Sequence, residues 1–243
     1  MNFYAVIIGT EILNGRRIDK HFDFLKNELA KYGHELFASF VIKDDVGLMK
    51  RTYKMILKDT DAVIFSFGGI GSTPDDLTRE VAAEVFRNSS PVTHEKFKQN
   101  IINKFGDEAY PHRIHMAEIP PDAELLPNPV NNMSGFALDK RFFFMPGFPS
   151  MSHPMTSEII KKYFSQAKKK YKYTLLAKTS ENTLIDVMQK LPKNIELSSL
   201  PIFINENPNV ELSLSGENKE KIKKYFDMFQ KKLKKLKIPF TIA

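Results

Sequence analysis

The residues most able to do chemistry in this 243-residue chain lie in one stretch, G-G-I-G-S-T-P-D-D-L-T-R-E at positions 68–80. Gly68, Gly69 and Gly71 permit backbone conformations and close approaches that a side chain would block. Consecutive backbone N–H groups with a helix start behind them can cradle a phosphate. Ser72, Thr73 and Thr78 add hydroxyl donors. Asp75 and Asp76 would repel a bare phosphate, so their place beside such a loop points to a bridging divalent cation of the Mg²⁺ kind. The plainer reading makes the glycines a tight turn and one aspartate, Asp75 or Asp76, the N-cap of the following helix.

Other loops supply further candidates. G-T-E-I-L-N-G at 9–15 sets Thr10 and Glu11 after a first apolar run, and Asp44 and Asp45 follow a second. Glu11 can accept hydrogen bonds from a ribose or a base, or sit in a salt bridge. Asp44 is also an N-cap candidate for the segment after it. Carboxylates that follow three strands of a parallel sheet share one rim, the edge where α/β sheets bind ligands. The segments L-P-N-P-V-N-N-M-S-G-F at 126–136 and M-P-G-F-P-S-M at 145–151 are rigid loops of the kind that position backbone donors, with Pro146 and Gly147 in the second. His112 and His115, flanking Arg113, can reach a phosphate or simply belong to a surface loop. H-R-I-H is no zinc spacing, and the chain has no P-loop lysine motif, no G-x-S-x-G elbow and no H-E-x-x-H.

The elements that must carry these residues alternate in type. Phe3 to Ile8 reads as a buried strand ended by Gly9. From Asp19 as N-cap, Phe22, Leu25, Leu29 and Tyr32 recur at helical spacing until Gly33. Glu35 to Ile42 is a second strand, Val46 to Lys58 a helix, Ala62 to Phe67 a third strand and Leu77 to Arg87 a helix. This order predicts a three-layer α/β/α domain with a mostly parallel sheet. Thr93 to Phe105 reads as helix, Tyr110 to Leu126 as proline-broken loop with short extended pieces, and Gly135 to Met145 as a hairpin turning at Asp139-Lys140-Arg141. A helix is expected from Pro154 to about Lys170. A charged connector near Lys168 to Lys172 then divides a domain at 1–168 from a small α+β domain at 172–243. The latter shows a strand at Tyr173–Ala177, a short helix marked by Leu184, Val187, Met188 and Leu191, a strand at Val210, Leu212 and Leu214, and a long final helix.

Composition sets the frame. Apolar residues make up 42% and charged residues 27%, values of a globular chain rather than a disordered one. No apolar run reaches the length of a membrane span, and the N-terminus reads as a first strand rather than a signal peptide. The absence of cysteine removes disulfides, thiolate nucleophiles and cysteine-ligated metal sites, so a cytoplasmic protein is expected. The net charge of +7 is uneven: residues 1–150 hold 18 Lys+Arg against 20 Asp+Glu, and residues 151–243 hold 18 against 9. Much of the excess lies between Lys219 and Lys237. It can mark a nucleic-acid or acidic-membrane surface, but without stacking aromatics or a Gly-rich loop beside it the solvated face of one helix is preferred.

Taken together, G-T-E-I-L-N-G, the glycine loop ending in P-D-D-L-T-R-E, L-P-N-P-V…G-F-A-L and M-P-G-F-P-S resemble the molybdopterin-binding-like domain of the CinA (competence/damage-inducible protein) family, related to the MogA and MoaB proteins. The resemblance spans residues 3–165, and the remainder is similar to the small KH-like middle domain of CinA. No amidohydrolase domain is expected in this stretch. Membership implies a metal-dependent nucleotide pyrophosphatase with a substrate such as ADP-ribose. It puts Asp76 and Asp44 at the catalytic and metal positions, with Asp75 beside them. Thr10, Glu11, Gly68, Gly69, Gly71, Ser72, Thr73, Pro146 and Gly147 fall at the substrate, and Mg²⁺, Mn²⁺ or Co²⁺ is the implied cofactor. The sequence departs from the family pattern at Phe67, Ser72, His115, Phe148 and Met151. The alternatives are a pterin-binding protein of molybdenum cofactor synthesis and a non-catalytic nucleotide-binding protein. A small-molecule nucleotide or pterin ligand and a homodimer are expected; a nucleic-acid partner, which would need a G-x-x-G clamp in residues 170–243, is not.

Overall fold

In a computed structural model, residues 1–166 and 170–242 are described, and the chain divides into two compact units, Met1–Ala167 and Lys168–Ala243. The helix end and connector expected at 168–170 fall partly outside the described residues. In the first unit the elements run β1 (Asn2–Ile8), α1 (Thr10–Leu13), α2 (His21–Ala30), β2 (Leu36–Ile42), α3 (Val46–Ile56), β3 (Ala62–Phe67), α4 (Thr78–Arg87), β4 (Val92–Thr93), α5 (Glu95–Phe105), β5 (Glu118–Ile119), β6 (Glu124–Leu126), β7 (Gly135–Leu138), β8 (Phe142–Met145) and α6 (Pro149–Tyr163).

The main sheet has the order β2-β1-β3-β8-β7-β6. Its first four strands are parallel, and β7 and β6 complete it antiparallel. This is the expected α/β fold with a mostly parallel sheet. Alternation along β1 shows why the sheet is covered on both faces. Tyr4, Val6 and Ile8 pack with Met49, Tyr53 and Val81 of α3 and α4, whereas Phe3, Ala5 and Ile7 pack with Leu25, Leu29, Met155 and Ile159 of α2 and α6. The register pairs Ile8 with Ile42, Ile7 with Phe67 and Phe67 with Met145, so the carboxyl ends of four strands lie at one rim. The loops at 9, 43–45, 68–77 and 146–148 all leave from that rim.

Local chemistry explains most boundaries. The Asp19 carboxylate accepts from the N–H groups of His21 and Phe22, as an N-capping residue should. The face that α2 buries is His21, Leu25, Glu28 and Leu29; Phe22, expected on the apolar stripe, is exposed. Asp45, not Asp44, caps α3 by accepting from Leu48 N at 2.7 Å. Asp139 and Lys140 both adopt positive φ in the three-residue turn 139–141 between β7 and β8, which Arg141 N closes on Leu138 O. The helix expected from Pro154 instead begins at Pro149, ends at Tyr163 and holds Pro154 inside; Pro149 takes the first turn, where a missing N–H costs nothing. The 9–15 segment, read as loop, contains the four-residue α1.

The second unit is a four-stranded antiparallel sheet of order β10-β11-β9-β12, built from β9 (Tyr171–Ala177), β10 (Glu196–Ile204), β11 (Asn207–Gly216) and β12 (Phe240–Ile242). The terminal strand β12 was not expected from sequence. Between β9 and β10 lies the short helix α7 (Ile185–Met188). The last helix, α8 (Lys219–Lys235), buries Ile222, Phe226, Phe229 and Leu233 over the sheet and turns most of its lysines to solvent, with Lys232 paired to Asp186. No helix among the described residues is long and apolar enough to cross a membrane.

Candidate functional site

At the rim of the main sheet a cleft of about 500 Å³ opens. It is lined by Gly9, Glu11, Asp44, Gly68, Gly69, Gly71, Ser72, Thr73, Asp75, Asp76, Pro146 and Gly147, so nearly every site residue expected from sequence meets there. Thr10 reaches the site through Asp44: its N–H and its hydroxyl each donate to Asp44 Oδ2 at 2.8 Å. That pair ties the loop after β2 to the start of α1. Asp44 is thereby held by two neutral donors, with both bonds on one oxygen.

The glycine loop is shaped by contacts that forbid side chains. At Gly68, φ is +104° and an added Cβ would fall 2.3 Å from the Ile8 carbonyl oxygen. At Gly69, φ is +68° and a Cβ would fall 2.3 Å from Thr78 Oγ1. The Thr78 hydroxyl, expected to face a ligand, is instead buried and donates to Gly68 O at 2.9 Å. Its N–H closes the turn on Gly69 O. No hydrogen bond of the turn uses the N–H groups of Gly69, Ile70, Gly71 or Ser72. Four successive amides at the cleft are therefore available to an anion.

Asp76 does not cap α4. Its Oδ2 accepts from Thr73 N at 2.8 Å and from Thr73 Oγ1 at 2.6 Å, closing the 73–76 turn on itself. Asp75 does not cap α4 either, since no side-chain cap is present at its N-terminus. Hydrogen bonding with Thr73 holds the Asp75 carboxyl below its usual range. Arg79 is buried behind the turn and donates to Gly71 O. Burial pushes its guanidinium down, and the charges of Asp76, Glu118 and Glu80 oppose that shift. Arg79 thus backs the acidic loop from inside the protein.

Sequence reasoning did not place Arg17 and the apolar lining of the same cleft formed by Phe97, Phe105, Met116 and Met133 of one cluster; Phe148 and Met151 of the 145–151 loop and Arg113 line it too. The guanidinium of Arg17 lies 5.8 Å from the Phe148 ring centre and that of Arg113 lies 4.6 Å from the Phe105 ring centre. Arg113 also pairs with Glu108 at 2.9 Å. The neighbouring histidines do not join it: His115 pairs with Glu118, and neither His112 nor His115 lines the cleft. The helical spacing of α5 announces Phe97 and Ile101 as core, but nothing in it says that Phe105 ends beside the glycine loop.

Among the described residues, no three acidic or histidine side chains converge as a ready-made metal cage. Asp44 and Asp76 are hard oxygen donors on one cleft, each with its hydrogen bonds on Oδ2. One or two carboxylates completed by substrate phosphate oxygens and water is the donor set that suits Mg²⁺. The residues therefore fit a divalent ion that binds together with a phosphorylated ligand.

The comparisons with known proteins agree with this architecture. A family model described as a probable molybdopterin binding domain matches residues 4–166. A CinA-like protein of Acaryochloris marina is 32% identical over 161 residues, covering 63% of this chain and 38% of its own length. The chain thus spans about two fifths of that relative. Protein Ta0487 of Thermoplasma acidophilum is 26% identical over 224 residues, covering 88% of this chain and 87% of its own. A crystal structure of a CinA protein of unknown function from Thermoplasma acidophilum superposes with a TM-score of 0.61 at 28% identity, over 67% of this chain and 99% of that one.

Proposed function

The chain belongs, through residues 4–166, to the probable molybdopterin binding domain family in its CinA-like form, and from that premise we propose that it hydrolyses the diphosphate bond of a nucleotide such as ADP-ribose. One observation carries the reading: a single cleft is lined by loop residues with unused amides and three aspartates together with aromatic and thioether side chains and two arginines. A nucleoside diphosphate has the same division, a flat ring at one end and a doubly charged linkage at the other.

The residues divide the work accordingly. The amides of Gly69, Ile70, Gly71 and Ser72 would meet charge that develops on a phosphate oxygen, and being fixed by the Gly68–Thr78 packing they need not reorganise. Arg17 and Arg113 add positive charge to the same cleft. Phe105, Met116 and Met133 offer the base an apolar surface. Asp44 and Asp76, with Asp75, would hold a divalent ion, which when bound supplies Lewis-acid polarisation of the diphosphate.

The family description favours a second reading, in which the ligand is a pterin carrying a phosphate and is bound rather than cleaved. The same cleft chemistry suits it, because a pterin is also flat and its phosphate also needs amides. Hydrolysis separates the two. Purified protein with ADP-ribose, FAD or NAD and Mg²⁺, Mn²⁺ or Co²⁺ should release a nucleoside monophosphate, and Asp76→Asn should abolish the release. No turnover by folded, metal-supplied protein, together with tight binding of a pterin phosphate, would replace the hydrolase with the binding protein.

A further inference from the structure

Behind the cleft, a buried histidine, His21, meets a half-buried one, His153, where the mechanism uses neither. His21, 3% exposed at the start of α2, stacks on Phe67 with ring centres 4.4 Å apart and an angle of 15°. Its Nε2 lies 3.2 Å from the carbonyl oxygen of Gly147. His153 of α6 meets His21 edge-on at 5.4 Å and stacks on Phe24 at 3.7 Å. Among the described residues, His21 Nδ1 and His153 Nε2 are the buried side-chain atoms that lack a hydrogen-bond partner.

The pairing fixes where one proton sits. A carbonyl only accepts, so His21 carries a proton on Nε2 to bond Gly147, and in the neutral ring its Nδ1 is a bare lone pair. His153 is hydrogen-bonded to the backbone of Lys20, and its Nε2 has no partner. Charging His21 would keep the Nε2–H bond and add a second N–H on the buried Nδ1, where no protein acceptor waits.

His21 also touches both loops of the cleft. Phe67 is the last residue before Gly68, and Gly147 sits against the same glycine: a Cβ on Gly147 would lie 3.3 Å from Gly68 Cα. We propose that His21 is the positioning residue of the cleft, an imidazole that locks the 68–71 loop to the 146–148 loop, and that acid loosens this lock by adding an N–H to the buried Nδ1, which no acceptor meets.

The surroundings support the direction. Burial lowers the affinity of His21 for a proton, opposed by its bond to Gly147 and by Asp19. His153 is shifted the same way, chiefly by burial and then by His21, with Asp19 and the Lys20 backbone hydrogen bond opposing and the Lys20 charge adding. Glu11, Asp19, Arg16, Arg17 and Lys20 share the small pocket beside His21, so two carboxylates there face three cationic groups. No acidic excess is present to stabilise an imidazolium.

The test is a titration of the full chain by NMR without ligand, following the His21 ring and the amides of Gly68, Gly147 and Phe148 from pH 8 to pH 5. The expected result is a neutral Nε2–H ring until the pH is below the ordinary histidine value, with the three amides moving together when it charges. In His21→Gln, whose amide has about the reach of Nε2 and can still donate to Gly147, those movements should vanish. If His21→Gln does not fold, the wild-type titration decides. Amides that ignore the His21 titration would overturn the proposal. So would a ring that charges at or above the ordinary value, as a proton shared between the two imidazoles would give. The consequence for ligand rests on the proposed function: the apparent Kd for ADP-ribose should rise by up to about tenfold per pH unit once the ring charges, the limit for one linked proton. If ADP-ribose fails to bind at every pH while the amides still follow His21, the hydrolase reading fails and the positioning role stands.

Discussion

Asp76 can be changed in two ways that separate its structural work from its chemical work. Its Oδ2 accepts two hydrogen bonds from Thr73, at 2.8 Å from the backbone and 2.6 Å from the hydroxyl. Asparagine keeps an oxygen of the same reach, so Asp76→Asn should hold the 73–76 turn and leave stability within about 0.5 kcal/mol of the parent. Alanine removes both bonds. At a net value of about 0.5–1.5 kcal/mol each, and toward the low end because the turn is exposed, Asp76→Ala should cost about 1–2 kcal/mol. For a unit of this size that is a drop of about 2–8 °C in Tm. Activity should rank differently. Both variants lose the negative charge that would hold a divalent ion, so both should lose about 10²-fold or more in ADP-ribose hydrolysis. Differential scanning calorimetry and a coupled monophosphate-release assay read the two quantities independently. Parent-like turnover in Asp76→Asn refutes the metal role of this carboxylate, and equal destabilisation in both variants refutes the hydrogen-bond account of the turn.

Three further outcomes are expected. Gly68→Ala should unfold or strongly destabilise the first unit, measured by urea titration, because its Cβ would meet the backbone oxygen of Ile8 at 2.3 Å at a positive φ. Arg113→Ala should weaken ADP-ribose binding by calorimetry, most at low ionic strength, while Tm moves by only a degree or two, since its ion pair with Glu108 is exposed. Stability should also fall with acid in a defined window. The folded-state pKa values of His21 and His153 lie below those of the unfolded chain, so their contribution is complete above about pH 6.5 and is lost as pH falls toward the folded values. Urea midpoints between pH 7.5 and 5.5 should show this, and His21→Asn should flatten the slope.

The parts of this molecule governed by local rules were open to reading. The strands of the main sheet are short β-branched or aromatic runs between loop-forming residues, and Asp19 caps α2 where a capping residue stood in the sequence. The rim followed, because in a parallel sheet every carboxyl end lies on one side, and Asp44, Asp76 and the glycine loop meet there. What stayed hidden depends on which side a residue faces. Thr78 is one residue past the loop and turns inward to Gly68, while Thr73 turns to Asp76. Phe22 and His21 are neighbours, and hydropathy assigned the core to the phenylalanine; the helix instead buries the histidine, whose ring matches the flat face of Phe67. The aromatic wall was out of reach for a different reason. Phe105, Met116 and Met133 come from three segments far apart in the chain, and only the packing of α5 beside the 126–134 loop brings them together.

The way the acidic groups are held bears on what the cleft can do. A carboxylate kept in place for structure alone is commonly neutralised by a nearby lysine or arginine, which satisfies its charge within the fold. Asp44 and Asp76 are held instead by threonine hydroxyls and backbone N–H groups, which fix their direction while leaving their charge uncancelled. Arg79 lies close enough to act on Asp76 electrostatically, yet it donates to Gly71 O rather than to the carboxylate. Beside them, four amides and two arginines favour an anion. Uncancelled carboxylates next to an anion site repel the ligand that the rest of the cleft attracts, unless a cation enters with it. The proposed hydrolysis gives these aspartates a task, the holding of a divalent ion, and a ligand that binds equally well with and without Mg²⁺ would take that task away.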